Sequence, residues 1–401
     1  MTLALLVRRS LRQHALSTLV TAGSIALACG LLMSVWVIKR QAKSTFSSQT
    51  GGWDAVLGAR GAKLQLVLNA IFHLEASPGN VTWQEYLDIA KSPMVKLAVP
   101  IAVGDNYYGY RLVGTMTNLF TEAEYIPGRR LTPKPGGRIF DQELREAVVG
   151  SYVAQQLKLV IGSHFKPFHG LNFDPTKQHD DEYVVVGLLE PSNTPADRVI
   201  WIPLEGLQNM TGHSEETSTD VSAVLLKLRS PIAGQQLDLK INRQETKLTL
   251  AWPIGMVTAQ LFDKLGWLNG VLELVAYLVA VVAGASVLAS IYNSMNSRRR
   301  DIAILRALGA RRSMVFSAIV AEAAAIGLLG AVVGVAVYGV IMTVVVRLIQ
   351  VQTGVVLDAL AFDPVFLGAP AGLVLISAAA GVVPAWKAYR TPVAENLIPE
   401  S

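Results

Sequence analysis

The stretch SRRRDIAILRALGARRSMVF, Ser297 to Phe316, sets six arginines around the apolar run Ile302–Ala310 and then passes into a long apolar segment. The arginines are Arg298, Arg299, Arg300, Arg306, Arg311 and Arg312. Apolar chain on both sides of so basic a segment points to lipid. The composition agrees: of 401 residues, 51% are hydrophobic and only 16% charged, and the mean hydropathy is +0.39. That is too apolar for an ordinary soluble domain.

Crossing roughly 30 Å of hydrocarbon takes about 20 mainly apolar residues. Four segments meet this, at residues 17–38, 269–292, 314–347 and 366–386. The third exceeds one crossing and is expected to tilt, project from the bilayer or break near its glycines. Arg8, Arg9 and Arg12 before an apolar run ending in Ala26–Cys29 also fit a cleaved signal, even a lipoprotein one. The chain stays apolar through GLLMSVWVI, so an uncleaved span is preferred. Cys29, the one cysteine, has no intrachain partner for a disulfide.

Orientation follows from Lys and Arg close to the spans. Around the first span the signal is balanced, with Arg8, Arg9 and Arg12 on one side and Lys39, Arg40 and Lys43 on the other. The six arginines of the opening stretch place residues 297–313 in the cytoplasm, and Lys387 and Arg390 place residues 387–401 there too. Residues 1–16 then share that side, and residues 44–266 form a large external domain. Its apolar runs at Val95–Val103, Tyr108–Met116, Glu182–Leu189, Arg198–Leu204 and Ser222–Leu228 are bounded by turn residues and predict strands. Helices are predicted at Ala62–Phe72, Thr82–Lys91, Gly150–Leu159 and Ile202–Met210. The fold expected is four transmembrane helices plus an external α+β domain. Leu261, Leu265 and Leu268 keep helical spacing into span two, which predicts a stalk helix.

Enzymatic motifs are not found. The nearest approach to a phosphate-binding loop, GARGAKL at Gly58–Leu64, has the wrong spacing and no hydroxyl after its lysine. H-E-x-x-H, paired C-x-x-C and G-x-S-x-G are absent as well. No catalytic, cofactor or metal residue is assigned, and ATP with its magnesium would have to be bound by another chain. The net charge of +5 is accounted for by the cytoplasmic loops, so nucleic acid need not be invoked.

The segment Ser297–Gly339, SRRRDIAILRALGARRSMVFSAIVAEAAAIGLLGAVVGVAVYG, resembles the FtsX-like ABC permeases of the type VII, MacB/LolC-type mechanotransmission class. Those proteins have an arginine-rich loop of the form R-R-x-I-x-I-L-R-A-L-G-A, then a glycine-rich span containing a glutamate. The ending Gly381–Leu397, GVVPAWKAYRTPVAENL, is similar to theirs, apart from Ala394 between Val393 and Glu395. Outside the membrane, Tyr125–Leu131, Glu146–Phe165 and Glu182–Leu204 look like a MacB-like periplasmic core. The resemblance makes the 297–313 loop a coupling helix seated in a groove of an ATPase subunit. Arg298, Arg299, Arg300, Ile302, Ile304, Leu305, Arg306, Leu308 and Gly309 are then its contact set. The residues fit this role: Ile302, Leu305 and Leu308, with Ile304, give one apolar side, and arginines can reach acidic protein surface or lipid phosphate. A pure topology signal would explain the charge but not the ordered apolar run.

Small residues predict close helix packing. Ala22, Ala26, Gly30 and Ser34 recur every fourth position on span one, and Gly330 with Gly334 forms G-x-x-x-G on span three. They fit bundle packing or a dimer interface equally. Glu322 on span three is expensive in lipid. A position facing Arg311 or Arg312, or the bundle interior, accounts for it without a transport role. The histidines within His164–Asp181, with His73 and Glu75, match no standard metal spacing. Trp53, Tyr107, Tyr108 and Tyr110 read as packing residues rather than a ligand surface.

These readings lead to a multi-pass, non-catalytic permease of a bacterial inner membrane with its large domain in the periplasm. The partners expected from the resemblance are two ABC ATPase subunits and a second permease, simplest as a homodimer, with a periplasmic lipoprotein or adaptor besides. The leading role is export or extraction of a hydrophobic or lipid-linked substrate. Alternatives are mechanotransmission to a periplasmic enzyme and a membrane-anchored sensor.

Overall fold

The computed structural model describes residues 3–48, 50–210, 219–244, 247–264, 266–307, 309–353 and 356–390. The chain divides into two compact units: one of residues 1–41, 265–346 and 358–401, the other of residues 42–264 and 347–357.

The first unit is helical. It comprises α1 (Leu3–Gln13), most of α2 (Ala15–Ser48), α10 (Gly266–Ser297), α11 (Arg299–Ala307), most of α12 (Arg312–Thr353) and α13 (Val365–Arg390). Among the described residues, four helices are long and apolar enough to cross a membrane: Ala15–Gln41, Gly266–Asn296, Arg312–Thr353 and Val365–Arg390. Their outward surfaces are apolar, with Leu19, Val281, Val332 and Leu375 all exposed. An exposed apolar surface of this kind suits lipid rather than water. The small-residue positions make one seam. A Cβ built on Gly330 would lie 2.6 Å from the Ile25 Cβ, one on Gly334 2.5 Å from the Cys29 Cβ, and one on Gly30 2.6 Å from Val337. Side-chain-free backbone is what lets α2 and α12 approach so closely. Ala26 is buried along this seam, and the Ser34 hydroxyl donates back to the Gly30 carbonyl at 2.7 Å. Lys39 pairs with Glu273, and Arg40 with Asp363 at 3.2 Å. These ion pairs offset the positive charge that balanced the first span in the orientation count.

The second unit is a mixed α/β domain around a ten-stranded sheet. Its strands are β1 (Ala55–Ala59), β2 (Val95–Tyr107), β3 (Tyr110–Thr115), β4 (Glu146–Val149), β5 (His164–Phe165), β6 (Phe168–His169), β7 (Tyr183–Leu188), β8 (Ile200–Pro203), β9 (Ala223–Leu228) and β10 (Leu248–Ala251). The order is β10-β1-β9-β2-β3-β8-β4-β7-β5, with β6 against β2. The β3–β8 and β4–β7 pairings are parallel and the rest antiparallel. Helices α3 (Lys63–Ala70), α4 (Trp83–Ala90), α5 (Asn118–Thr121), α6 (Ser151–Leu157), α7 (Leu204–Gln208), α8 (Pro231–Leu239) and α9 (Ile254–Lys264) complete the unit. Alternation along the strands divides the apolar side chains into two cores: Leu57, Leu112, Tyr183 and Leu226 lie in one, and Val56, Val113, Trp201 and Leu225 in the other. Local chemistry sets the helix starts. Thr82 and Glu85 form a reciprocal capping box on α4, and Ser230 caps α8 ahead of Pro231. All five strands and all four helices predicted for this domain are present, while β1, β4, β5, β6 and β10 have no counterpart in the predicted set. Of the segment expected to form the stalk, Ile254–Lys264 is α9 and Gly266 begins α10, and Leu265 between them lies outside the described residues.

Candidate functional site

The α11 segment is a separate short helix between two spanning helices. The Arg298 N–H donates to the Met295 carbonyl at 3.2 Å as α10 ends, and the Ile302 N–H to the Arg298 carbonyl at 3.0 Å as α11 begins. At the far end the Gly309 N–H donates to Arg306 at 3.1 Å, and Gly309 has φ +98°. That conformation is open to glycine and costly for a residue with a Cβ, so Gly309 ends α11 and redirects the chain into α12. Leu308 lies outside the described residues, as do the side chains of Arg299 and Leu305.

The helix has two faces. Ala303 is buried and Ile302 packs against the bundle core, whereas Arg300, Ile304 and Ala307 are exposed, Ile304 at 41%. Positions 300, 304 and 307 follow helical spacing, which makes them one outward stripe. The structure separates two members of the expected set from this outward stripe. Ile302 belongs to the bundle side and not to the outward side with Ile304. Arg298 also turns inward: its Nη1 hydrogen-bonds the Ser10 hydroxyl and lies 3.7 Å from Glu322 Oε2, and its Nη2 donates to Gln13 Oε1 at 3.2 Å. The Ser10 hydroxyl in turn donates to Glu322. Arg298 and Glu322 are only 18% and 12% exposed. Glu322 therefore faces Arg298 and not Arg311 or Arg312, which are exposed. The network ties α1, α11 and α12 beside a cavity of about 290 Å³ that Ile302, Met295, Met314 and Ile319 help to line. Arg306 is half-buried. Around the same end, Arg312 lies over the Tyr389 ring at 5.9 Å and Arg390 over Trp386 at 4.9 Å, pairings suited to a membrane–water interface.

Of the external aromatics, Trp53, Tyr107 and Tyr110 pack as expected, whereas Tyr108 is exposed. Trp53 is buried, Tyr107 stacks among Phe165 and Phe168, and Arg198 lies 5.6 Å over Tyr110. His73 is partly buried, edge-on to Trp201 at 5.7 Å, and desolvation with Arg111 nearby lowers its pKa to about 3. It is held neutral there.

A basic two-faced helix between helices long and apolar enough to cross a membrane, together with a separate α/β domain, is the arrangement expected of a membrane protein with an external domain. Residues 17–244 match the MacB-like periplasmic core domain and residues 273–393 the FtsX-like permease C-terminal domain, and the chain belongs to this family of FtsX-like permeases with a MacB-like periplasmic core. It is thus a membrane protein with a periplasmic domain and a transmembrane subunit of ABC-transporter type, in a family whose permease chains are generally non-catalytic and imply an ABC ATPase partner. Among the solved structures similar to it are two periplasmic or extracellular domains of ABC-type transporters. The periplasmic region of MacB from Actinobacillus actinomycetemcomitans is 11% identical with a TM-score of 0.34, covering 51% of this chain and 91% of that one. The extracellular domain of the noncanonic ABC-type transporter YknZ from Gram-positive bacteria is 16% identical with a TM-score of 0.29, covering 49% of this chain and 97% of that one. No curated protein matches the chain.

Proposed function

We propose that this chain is the multi-pass inner-membrane permease that couples ATP hydrolysis in a separate ATPase to movement of its periplasmic domain, exporting or extracting a hydrophobic or lipid-linked substrate. Two ATPase subunits and a second copy of this chain complete the assembly, because one bundle offers one α11 and a closing ATP sandwich needs two. ATP and magnesium are bound by those partners. A periplasmic lipoprotein or adaptor is a further partner on this reading. The 297–313 segment lies in the cytoplasm and residues 44–266 in the periplasm, in keeping with the arginine bias.

The observation that carries this reading is the outward face of α11. Ile304 is exposed beside Arg300 and Ala307 while the opposite face is anchored. An exposed isoleucine bordered by arginine fits a groove with an apolar floor and an acidic rim.

The test is Ile304→Asp. Losing a buried isoleucine forfeits about 1.5–3 kcal/mol, and the carboxylate left in the groove adds more, so affinity should fall at least about a hundredfold. The variant is expected in the membrane at normal levels, because the arginines that set topology remain, but without co-purifying ATPase. Arg300→Ala should cost under about 1 kcal/mol. Stoichiometric ATPase retained by Ile304→Asp would refute the coupling role.

A further inference from the structure

The histidines between His164 and Asp181 match no metal spacing among themselves, because the third member of their cluster comes from a distant strand. Strand β2 has an irregular register against β3 between Val103 and Asn106, and Asp105 sits within it. On its other side β2 pairs with β6, which places Asp105 opposite His169. The chain then loops out and returns so that the His179 N–H donates to the Pro167 carbonyl at 2.9 Å and the His169 N–H to the Lys177 carbonyl at 2.7 Å. Asn106 fixes the loop by donating to the Gly170 and Asn172 carbonyls at 2.8 and 3.2 Å. Two imidazoles and a carboxylate are thereby held by paired backbone.

Asp105 Oδ1 is 3.3 Å from His169 Nδ1 and 3.3 Å from His179 Nε2, and the three ligand atoms lie within 4.8 Å of one another. Charge-assisted N–H···O bonds are shorter, about 2.7–2.9 Å. Ligands about 2.0–2.2 Å from a tetrahedral ion lie about 3.3–3.6 Å apart, which is the spacing found from Asp105 to each histidine. The two imidazole nitrogens lie within 4.8 Å of each other, and the half-exposed His169 ring can turn toward the ligand spacing of an ion. The Asp105 and His179 side chains are buried, so the inner wall is fixed and the outer ligand adjustable.

We propose that Asp105, His169 and His179 form a binding site for a divalent first-row transition metal, filled by Zn²⁺, with a solvent-side position left for water. Two neutral imidazoles and one carboxylate suit Zn²⁺ and its neighbours, whereas Ca²⁺ and Mg²⁺ take oxygen ligands in larger number. The ion cross-links β2, β6 and the loop from Gly170 to Gln178, which carries Phe173 against Tyr108, two exposed aromatics whose ring centroids are 5.1 Å apart. Metal occupancy thus sets the stiffness of an exposed aromatic loop on the periplasmic domain. The site does not depend on the coupling role of α11.

The test uses the full chain, purified in detergent through a histidine-free tag, stripped with EDTA and titrated with Zn²⁺ against a chelating dye. One ion per chain is expected to bind in the micromolar range or tighter and to raise the thermal unfolding midpoint. Co²⁺ in its place should give the visible absorption of a tetrahedral centre. His169→Gln changes a half-exposed side chain, so the fold should persist while affinity falls more than about tenfold and the Zn²⁺-induced rise in midpoint disappears. His164→Gln, exposed and outside the cluster, should bind as the parent does. Absence of stoichiometric binding by the parent chain, or unchanged binding by both His169→Gln and Asp105→Asn, would overturn the site.

Discussion

Removing one charge of the Arg298–Glu322 pair should destabilise the helical unit far more than removing any exposed arginine of α11. The pair is 3.7 Å apart and mostly buried, and the Ser10 hydroxyl bridges it. At that distance and an effective dielectric of about 20 the gross attraction is about 4 kcal/mol, opposed by the desolvation of both ions. Glu322→Gln leaves the guanidinium buried without its counter-charge, and Arg298→Met leaves the carboxylate. Each should cost about 3–5 kcal/mol. The double variant removes both ions and should cost less than the sum, with a coupling energy of about 1–3 kcal/mol. Equilibrium unfolding of the purified chain in mixed micelles with rising SDS measures all four corners of this cycle. Arg300→Ala is the exposed control and should shift the curve by under about 1 kcal/mol. If Glu322→Gln unfolds with the parent chain, or the two substitutions add without coupling, the inward anchoring of α11 is wrong.

Two further outcomes are expected. Gly330→Val puts a Cβ 2.6 Å from the Ile25 Cβ and 2.8 Å from the Ala22 carbonyl, against a carbon contact optimum of about 3.5–4.0 Å, so it should cost about 1–3 kcal/mol in the same assay. Gly339→Val on the same helix meets nothing within 4 Å and should be nearly neutral; equal effects at the two sites would refute the seam. In the periplasmic domain, burial and the neighbouring Arg111 lower the pKa of His73 from 6.5 to about 3, so the folded state resists binding a proton that the unfolded chain accepts. His73 should leave stability unaffected above about pH 6.5, and stability should fall by up to about 1.4 kcal/mol per pH unit between 6.5 and 3. His73→Asn, which tolerates the local φ of +55°, should flatten that acid limb; an unchanged slope would rule His73 out as its source.

The spans were readable because length and apolarity alone specify a crossing, and the longer strands because buried runs such as Ala223–Leu228 are continuous between turn residues. The strands outside the predicted set, β1, β4, β5, β6 and β10, are two to five residues long and become strands through their neighbours in the sheet. The segment proposed to couple was legible as a basic amphipathic helix, but its two faces were not legible residue by residue. In a run of three arginines nothing local separates Arg298 from Arg300; the distinction arises because Ser10 and Gln13 of α1 meet Arg298. For Glu322 the sequence offers Arg311 or Arg312, close to it in the chain, or the bundle interior; it lies largely buried against Arg298, from the turn between α10 and α11. The Asp105 cluster was hidden for a similar reason: its carboxylate is 64 residues before His169, and only the β2–β6 pairing joins them.

A helix that transmits force must be fixed on one side and available on the other, and α11 meets both conditions through different chemistry. Its fixed side combines Ile302 and Ala303 in the bundle core with the adjoining Arg298–Ser10–Glu322 network, so a displacement of α11 loads α1 and α12 together. The close contact of α12 with α2 leaves little room for the two to slide, since Gly330 and Gly334 already bring backbone against Ala22 and Ala26. Closely packed surfaces without voids resist small deformations and pass them on. Among the described residues the available side is a stripe holding the exposed Ile304, and the proposed coupling role requires that asymmetry whereas a topology signal does not. Orientation in the membrane requires only the arginines, so replacing Ile304 while keeping every charge isolates the coupling role from insertion.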